Sequence, residues 1–78
     1  MWTVYVLKCN DGTYYTGCTS NTIDRLKRHN NGQVKYTSSR LPVDLLVTIN
    51  FNDRYKAYDF EIYLKSGSGK AFMNKRLI

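Results

Sequence analysis

The chain has 78 residues, 12 Lys+Arg against 6 Asp+Glu, and a net charge of +6. A chain this short sits near the lower limit for folding on one core, so residues 1–78 are expected to form a single domain with any site built on the core elements themselves. The charge favours an anionic partner such as nucleic acid or an acidic membrane surface, while the lack of a spanning apolar run, the short polar N-terminus MWTVYVLK and two cysteines without metal-ligand or disulfide spacing predict a cytoplasmic protein with no membrane partner.

Trp2 to Leu7 is rich in β-branched and aromatic residues and predicts a strand. Asn10-Asp11-Gly12 marks a turn, and Thr13 to Cys18 predicts a second strand, so the two form a hairpin. A two-residue Asp-Gly turn would put Tyr5 and Tyr15 on opposite faces. A three-residue loop with Gly12 left-handed instead sets Leu7 opposite Tyr15 and Tyr5 opposite Gly17. We expect the second register, partly because it serves a site: both phenols share a face, and Gly17 leaves a gap beside Tyr5 where a phosphate can approach.

Ser20-Asn21-Thr22 offers N-caps for a helix that Asn31-Gly32 ends. Ile23 and Leu26 form its short apolar stripe, flanked by Arg25 and His29, which lie one turn apart on one face. Gln33 to Arg40 is polar and basic and predicts a loop. After Pro42, Leu45, Val47, Ile49 and Phe51 alternate with Leu46, Thr48 and Asn50 as a half-buried third strand. Asn52-Asp53 caps a helix over Arg54–Lys65 whose apolar arc holds Ala57, Tyr58, Phe60, Ile62 and Leu64. Ser66-Gly67 breaks it, and Ser68 caps a last short helix with Phe72 and Leu77 in its core face.

Glu61 falls inside the apolar arc of its helix. A carboxylate there is costly unless paired. An ion pair with Arg25, Arg54 or Lys65 would satisfy it, and so would a hard cation, since Mg²⁺ takes one or two carboxylates plus water and phosphate oxygens. Arg25 can fork onto phosphate oxygens and offset developing charge, and His29 can move a proton near neutral pH, although an R-x-x-x-H pair is more often a solvated helix face. Tyr5 and Tyr15 say least in isolation, because this chain has seven tyrosines. Lys35, Tyr36 and Arg40 sit in a run of cations and hydroxyls that suits a nucleic-acid backbone with Tyr36 stacking on a base, or an ordinary solvated loop. Lys65 adds to the charge near the C-terminal end.

Thr3-Val4-Tyr5 followed by Tyr15-Thr16-Gly17 resembles the paired signature of GIY-YIG endonucleases. Arg25, His29 and Glu61 match that family's helix residues and its metal-binding glutamate in order and spacing. The resemblance runs from about Trp2 to Leu77 and is closest to short bacterial members consisting of this domain alone. It implies an α+β fold, a three-stranded antiparallel sheet with flanking helices in the order β-β-α-β-α-α. It further implies hydrolysis of DNA with Mg²⁺ or Mn²⁺ and no small-molecule cofactor, as expected of a DNA-repair or related nuclease acting as a monomer or homodimer. Tyr5 and Tyr15 would position or activate water, Arg25 would stabilise the transition state, His29 would assist proton transfer or hold phosphate, and Glu61 would bind the metal. Asn74 lies near the position of a family asparagine. Cys18 stands where many members carry a lysine, which keeps a non-catalytic nucleic-acid-binding module in view as the alternative.

Overall fold

The computed structural model describes residues 1–78. Its elements are β1 (Trp2–Cys9), β2 (Tyr14–Thr19), α1 (Thr22–Asn30), α2 (Lys35–Ser38), β3 (Val43–Phe51), α3 (Arg54–Lys65) and α4 (Gly67–Arg76). The fold is α+β, with one antiparallel sheet in the order β2-β1-β3. β1 is the central strand. Thr3, Val4, Tyr5, Val6 and Leu7 are all buried, which is why the segment reads as an unbroken apolar run: both of its faces are covered.

The β1–β2 hairpin takes the three-residue loop. Gly12 has φ 85°, the left-handed value that the turn requires. The Cys9 N–H donates to the Thr13 carbonyl at 2.8 Å across the base of the loop. Leu7 pairs with Tyr15 and Tyr5 with Gly17, as expected. Side chains alternate across the pleat, so Val4 and Val6 point one way and Tyr5 and Leu7 the other.

The Val4/Val6 face carries the apolar core. Ala57 and Leu64 of α3 and Met73 of α4 close on it, with Trp2, Cys18, Val47, Phe51, Phe60 and Leu77 packed around. α3 begins where Asp53 accepts the N–H groups of Tyr55 and Lys56. Ser66 ends it and also caps α4, accepting from the Gly69 N–H at 3.1 Å; Ser68, the expected cap, lies inside α4. Met73 is the buried side chain of α4, and Phe72 is 36% exposed, packed against Phe60 and Tyr63 rather than into the core.

The Tyr5 face is covered by α1 and α2, and here three expectations are corrected. Ile23 is 72% exposed, so α1 does not dock by an Ile23–Leu26 stripe; it buries His29 instead, because the sheet surface that it meets is phenolic rather than aliphatic. The stretch from Gln33 to Arg40 contains a helical turn, α2, with Thr37 fully buried. In β3, a bulge between the Val6–Val47 and Leu7–Leu45 pairs skips Leu46. Leu45 therefore changes face and is left exposed.

Candidate active site

Tyr5 is anchored by what Gly17 lacks. A Cβ on Gly17 would lie 2.8 Å from Tyr5 Cε1 and closer still to Cζ and the hydroxyl. The ring of Tyr5 thus lies across the glycine and fills the expected gap, so no space for a phosphate is left there. Beyond Gly17 the Tyr5 hydroxyl and His29 Nε2 share a 2.9 Å hydrogen bond. On the far side of the imidazole, Nδ1 and Thr37 Oγ1 share one of 2.7 Å. Thr37 Oγ1 also lies 3.4 Å from the Val34 carbonyl, to which it donates. Tyr5, His29 and Thr37 have no exposed surface, and no buried side-chain polar atom in the chain lacks a partner.

Arg25 projects from the same face of α1, half-buried, with its guanidinium beside the Tyr5 hydroxyl. Burial pushes the Tyr5 phenol up to about 12; Arg25 opposes this, and the charge of Glu61 adds to it. Burial also pushes His29 below its ordinary value, and the Arg25 cation pushes in the same direction. The imidazole is therefore neutral at pH 7 and the phenol is protonated.

Tyr15 is the half-exposed member of the group. Its ring centroid lies 5.0 Å from His29, 6.2 Å from Tyr5 and 5.5 Å from Tyr36. Arg40 stacks over Tyr36 at 4.3 Å, donates to the Tyr36 carbonyl and pairs with Asp11 at 3.4 Å. His29, Tyr15, Tyr36 and Arg40 thus form one continuous wall. A cavity of about 580 Å³ opens alongside, lined by Thr13–Thr16, Tyr36, Leu64, Lys65, Lys70, Met73 and Asn74. It shares Tyr15 with the buried cluster but lies beside that cluster rather than over it. Lys35 is exposed at the start of α2.

Glu61 comes from the other side of the sheet. Its side chain is 21% exposed, and Oε2 accepts from Lys65 Nζ at 2.8 Å. One of the ion pairs open to it in the sequence is therefore formed. The pair lies on the surface, where such contacts contribute about 0–1 kcal/mol. The Glu61 charge acts on both Tyr5 and Cys18. The Cys18 thiol is pushed up, first by burial and then by Glu61, so it stays protonated. Both cysteines are free. The chain contains no group of three or more His, Cys, Asp or Glu arranged to hold a metal. What it offers a cation is one half-buried carboxylate with Oε1 outside any internal hydrogen bond, which suits an ion that keeps water and takes phosphate oxygens.

Tyr5, Tyr15, Arg25 and His29 therefore converge, and Glu61 sits within electrostatic reach of Tyr5. Tyr36, Lys65 and Asn74 line the adjoining cavity, Lys35 does not, and Arg40 is committed to bracing Tyr36. Thr37 and Lys70 were missed. The only trace of Thr37 in the sequence is a hydroxyl inside a polar run. Lys70 joins the cavity through the α3–α4 turn, which spacing alone does not reveal.

The sheet thus carries two phenols on one face with an Arg/His helix over them, and a carboxylate approaches from the other side. The family model for the GIY-YIG catalytic domain matches residues 1–76, and the chain belongs to that family, which is a family of nucleases. It is 45% identical over 69 residues to a UPF0213 protein of Streptococcus agalactiae, covering 87% of this chain and 78% of that one. It is 44% identical to a UPF0213 protein of Halobacterium salinarum, covering 80% and 82%. The solution NMR structure of a UPF0213 protein from Bacillus halodurans aligns with a TM-score of 0.61 at 35% identity, covering 96% of this chain and 84% of that one. No helix is long and apolar enough to cross a membrane.

Proposed function

We propose that this protein is an endonuclease that hydrolyses phosphodiester bonds in DNA with one Mg²⁺ or Mn²⁺ held at Glu61. The observation that carries the reading is the convergence of Tyr5, Tyr15, Arg25 and His29 in a member of a nuclease family. Glu61 would hold the divalent ion, which when bound would supply Lewis-acid charge at the scissile phosphate. Arg25 forks onto the non-bridging oxygens and offsets the charge that grows on them.

The two tyrosines divide the remaining work. Tyr15 has the exposed phenol and orients the attacking water. Tyr5 is shielded, and its proton is hard to remove. Its pKa is raised to about 12 while that of His29 is lowered, so at rest the proton stays on Tyr5. Tyr5 serves as a protonated positioning residue, with its oxygen toward Arg25 and its proton toward His29.

The strand runs along the Tyr15–Tyr36 wall, where one base stacks. Lys35, Lys65, Lys70 and Asn74 hold the backbone beside it. A 580 Å³ cavity is of the size that takes a nucleotide-sized group. The test is cleavage of plasmid and oligonucleotide DNA with Mn²⁺, Mg²⁺ or chelator, by the native protein and by Glu61→Gln, with circular dichroism to check folding. The expected result is metal-dependent cleavage that the variant loses by about a hundredfold or more. Cleavage unchanged in Glu61→Gln refutes the metal assignment. Salt-sensitive binding without cleavage under any metal would select the non-catalytic binding module instead.

A further inference from the structure

Resting on that reading, we infer that Thr37 is a positioning residue that holds His29 in the Nδ1–H tautomer, so that the Tyr5 proton points at His29 and the Tyr5 oxygen faces Arg25. The argument is a count of hydrogens. Tyr5 has no exposed surface, so its hydroxyl proton has to find an acceptor inside the protein. Nε2 of His29 at 2.9 Å is the acceptor in reach. Arg25 beside that hydroxyl is a donor and cannot take the proton, and Tyr15 and Glu61 act on Tyr5 through charge without a hydrogen bond to it.

The other tautomer fails this count. If Nε2 carried the proton and donated it to Tyr5, the phenol proton would have nowhere to go but toward the guanidinium. That leaves a buried donor unpaired and sets a partial positive charge against a full one. In the Nδ1–H tautomer every hydrogen is placed. Tyr5 donates to Nε2, Nδ1–H donates to Thr37 Oγ1 at 2.7 Å, and Thr37 donates to the Val34 carbonyl at 3.4 Å. All donors run one way, and the Tyr5 lone pairs are left facing Arg25.

The local structure is built to hold this end of the chain. α2 is a single turn, and Thr37 is its only buried residue. The Val34 carbonyl that takes the Thr37 proton also takes the Ser38 N–H at 2.9 Å, which closes the turn. The hydroxyl is thus tied to the backbone that forms the turn, on the side of the imidazole away from Tyr5. Second-sphere partners of histidine fix tautomer and ring orientation in this way at other sites.

The test reads the tautomer directly. His29 is the one histidine of the chain, so imidazole signals in a ¹H–¹⁵N long-range correlation spectrum of labelled protein belong to it without assignment. Native protein and Thr37→Ser are expected to show a pyrrole-type Nδ1 and a pyridine-type Nε2 at neutral pH. Thr37→Val, similar in shape without the hydroxyl, is expected to shift toward Nε2–H. In cleavage, Thr37→Val is expected to lower kcat about tenfold while KM stays within about twofold, and Thr37→Ser to restore kcat. A native spectrum with Nε2 protonated overturns the inference, as does Thr37→Val with the native tautomer. Should Thr37→Val fail to fold, the native and Thr37→Ser spectra still decide it. The spectra need no substrate, so a protein that cuts no DNA would sink the nuclease reading and leave the tautomer question answered.

Discussion

Tyr5→Phe probes the buried network at its centre. Phenylalanine fills the same ring volume over Gly17, so no cavity opens, and the loss is confined to one hydroxyl. That hydroxyl is buried, and its 2.9 Å bond to Nε2 has no substitute. Removing it strands a buried acceptor, which costs about 1–3 kcal/mol. A chain of 78 residues carries a total stability of about 4–12 kcal/mol, so the variant should fold with a lowered urea midpoint and an unchanged slope. Tyr36→Phe is the control: its ring is 42% exposed, and its change should stay within about 0.5 kcal/mol. The two proteins should also differ in alkali. The Tyr5 pKa is raised from 10.0 to about 12 in the folded state, so the unfolded state loses this proton first. The stabilisation is complete below pH 10 and is lost as pH rises through 12. It amounts to about 2 kcal/mol after allowance for solvent screening. Tyr5→Phe lacks this limb, so the stability curves of native protein and variant should converge between pH 10 and 12. A cost no larger than that of Tyr36→Phe, or curves that stay parallel in alkali, would refute the network as described.

Gly17→Ala should displace the Tyr5 ring, since a Cβ there falls 2.8 Å from Cε1 and nearer to two further atoms; thermal melts should show a loss of about 1–3 kcal/mol, and cleavage should fall with it. His29 titrates below 6.5 in the folded protein because of burial and Arg25. Its neutral form is thus favoured by folding, and its stabilisation is present above pH 6.5 and lost as pH falls below it; His29→Gln should flatten that acid limb in urea titrations between pH 7 and 5. Lys70→Glu, on the exposed rim of the cavity, should raise KM for DNA at low salt, leave kcat unchanged, and flatten the salt dependence of single-strand binding by about 0.7 per lost phosphate contact.

Much of the frame was legible because it rests on local rules. The Asn10-Asp11-Gly12 turn left two registers open; the site it would serve favoured the three-residue loop, which the left-handed Gly12 adopts, with both phenols on one face. Asp53 and Ser66 bracket α3 where their side chains predict. The errors arose where tertiary context decides. Ile23 and Leu26 look like a docking stripe for α1 when hydropathy is read alone, yet the helix docks by His29 because its partner surface is a pair of tyrosines. The turn at Lys35–Ser38 is invisible in a polar run whose one buried residue is a threonine. Glu61 was legible as a misplaced carboxylate, but its ion pair with Lys65 was one possibility among three. The cavity could not be read at all, because Tyr15, Tyr36, Lys65 and Lys70 come from four separate elements or turns.

The position of Tyr5 on the central strand explains why so small a chain can hold a charged site in place. β1 has a core on each face: aliphatic on the Val4/Val6 side and polar on the Tyr5 side. A polar core is tolerable only when its hydrogen bonds are complete, and here none of the buried side-chain polar atoms is left without a partner. Completeness also gives direction. A chain of donors that ends on the Val34 carbonyl admits one arrangement of protons, and that arrangement presents an oxygen, rather than a hydrogen, to Arg25. An aliphatic residue at position 5 would bury as much surface and would leave Arg25 without an oxygen beside it. The hydroxyl beside the guanidinium is thus carried by the same strand that supplies Val4 and Val6 to the apolar core. A substitution that loosens β1 should therefore lower stability and phosphate positioning together, whereas one at the solvent-facing rim of the cavity should alter DNA affinity alone.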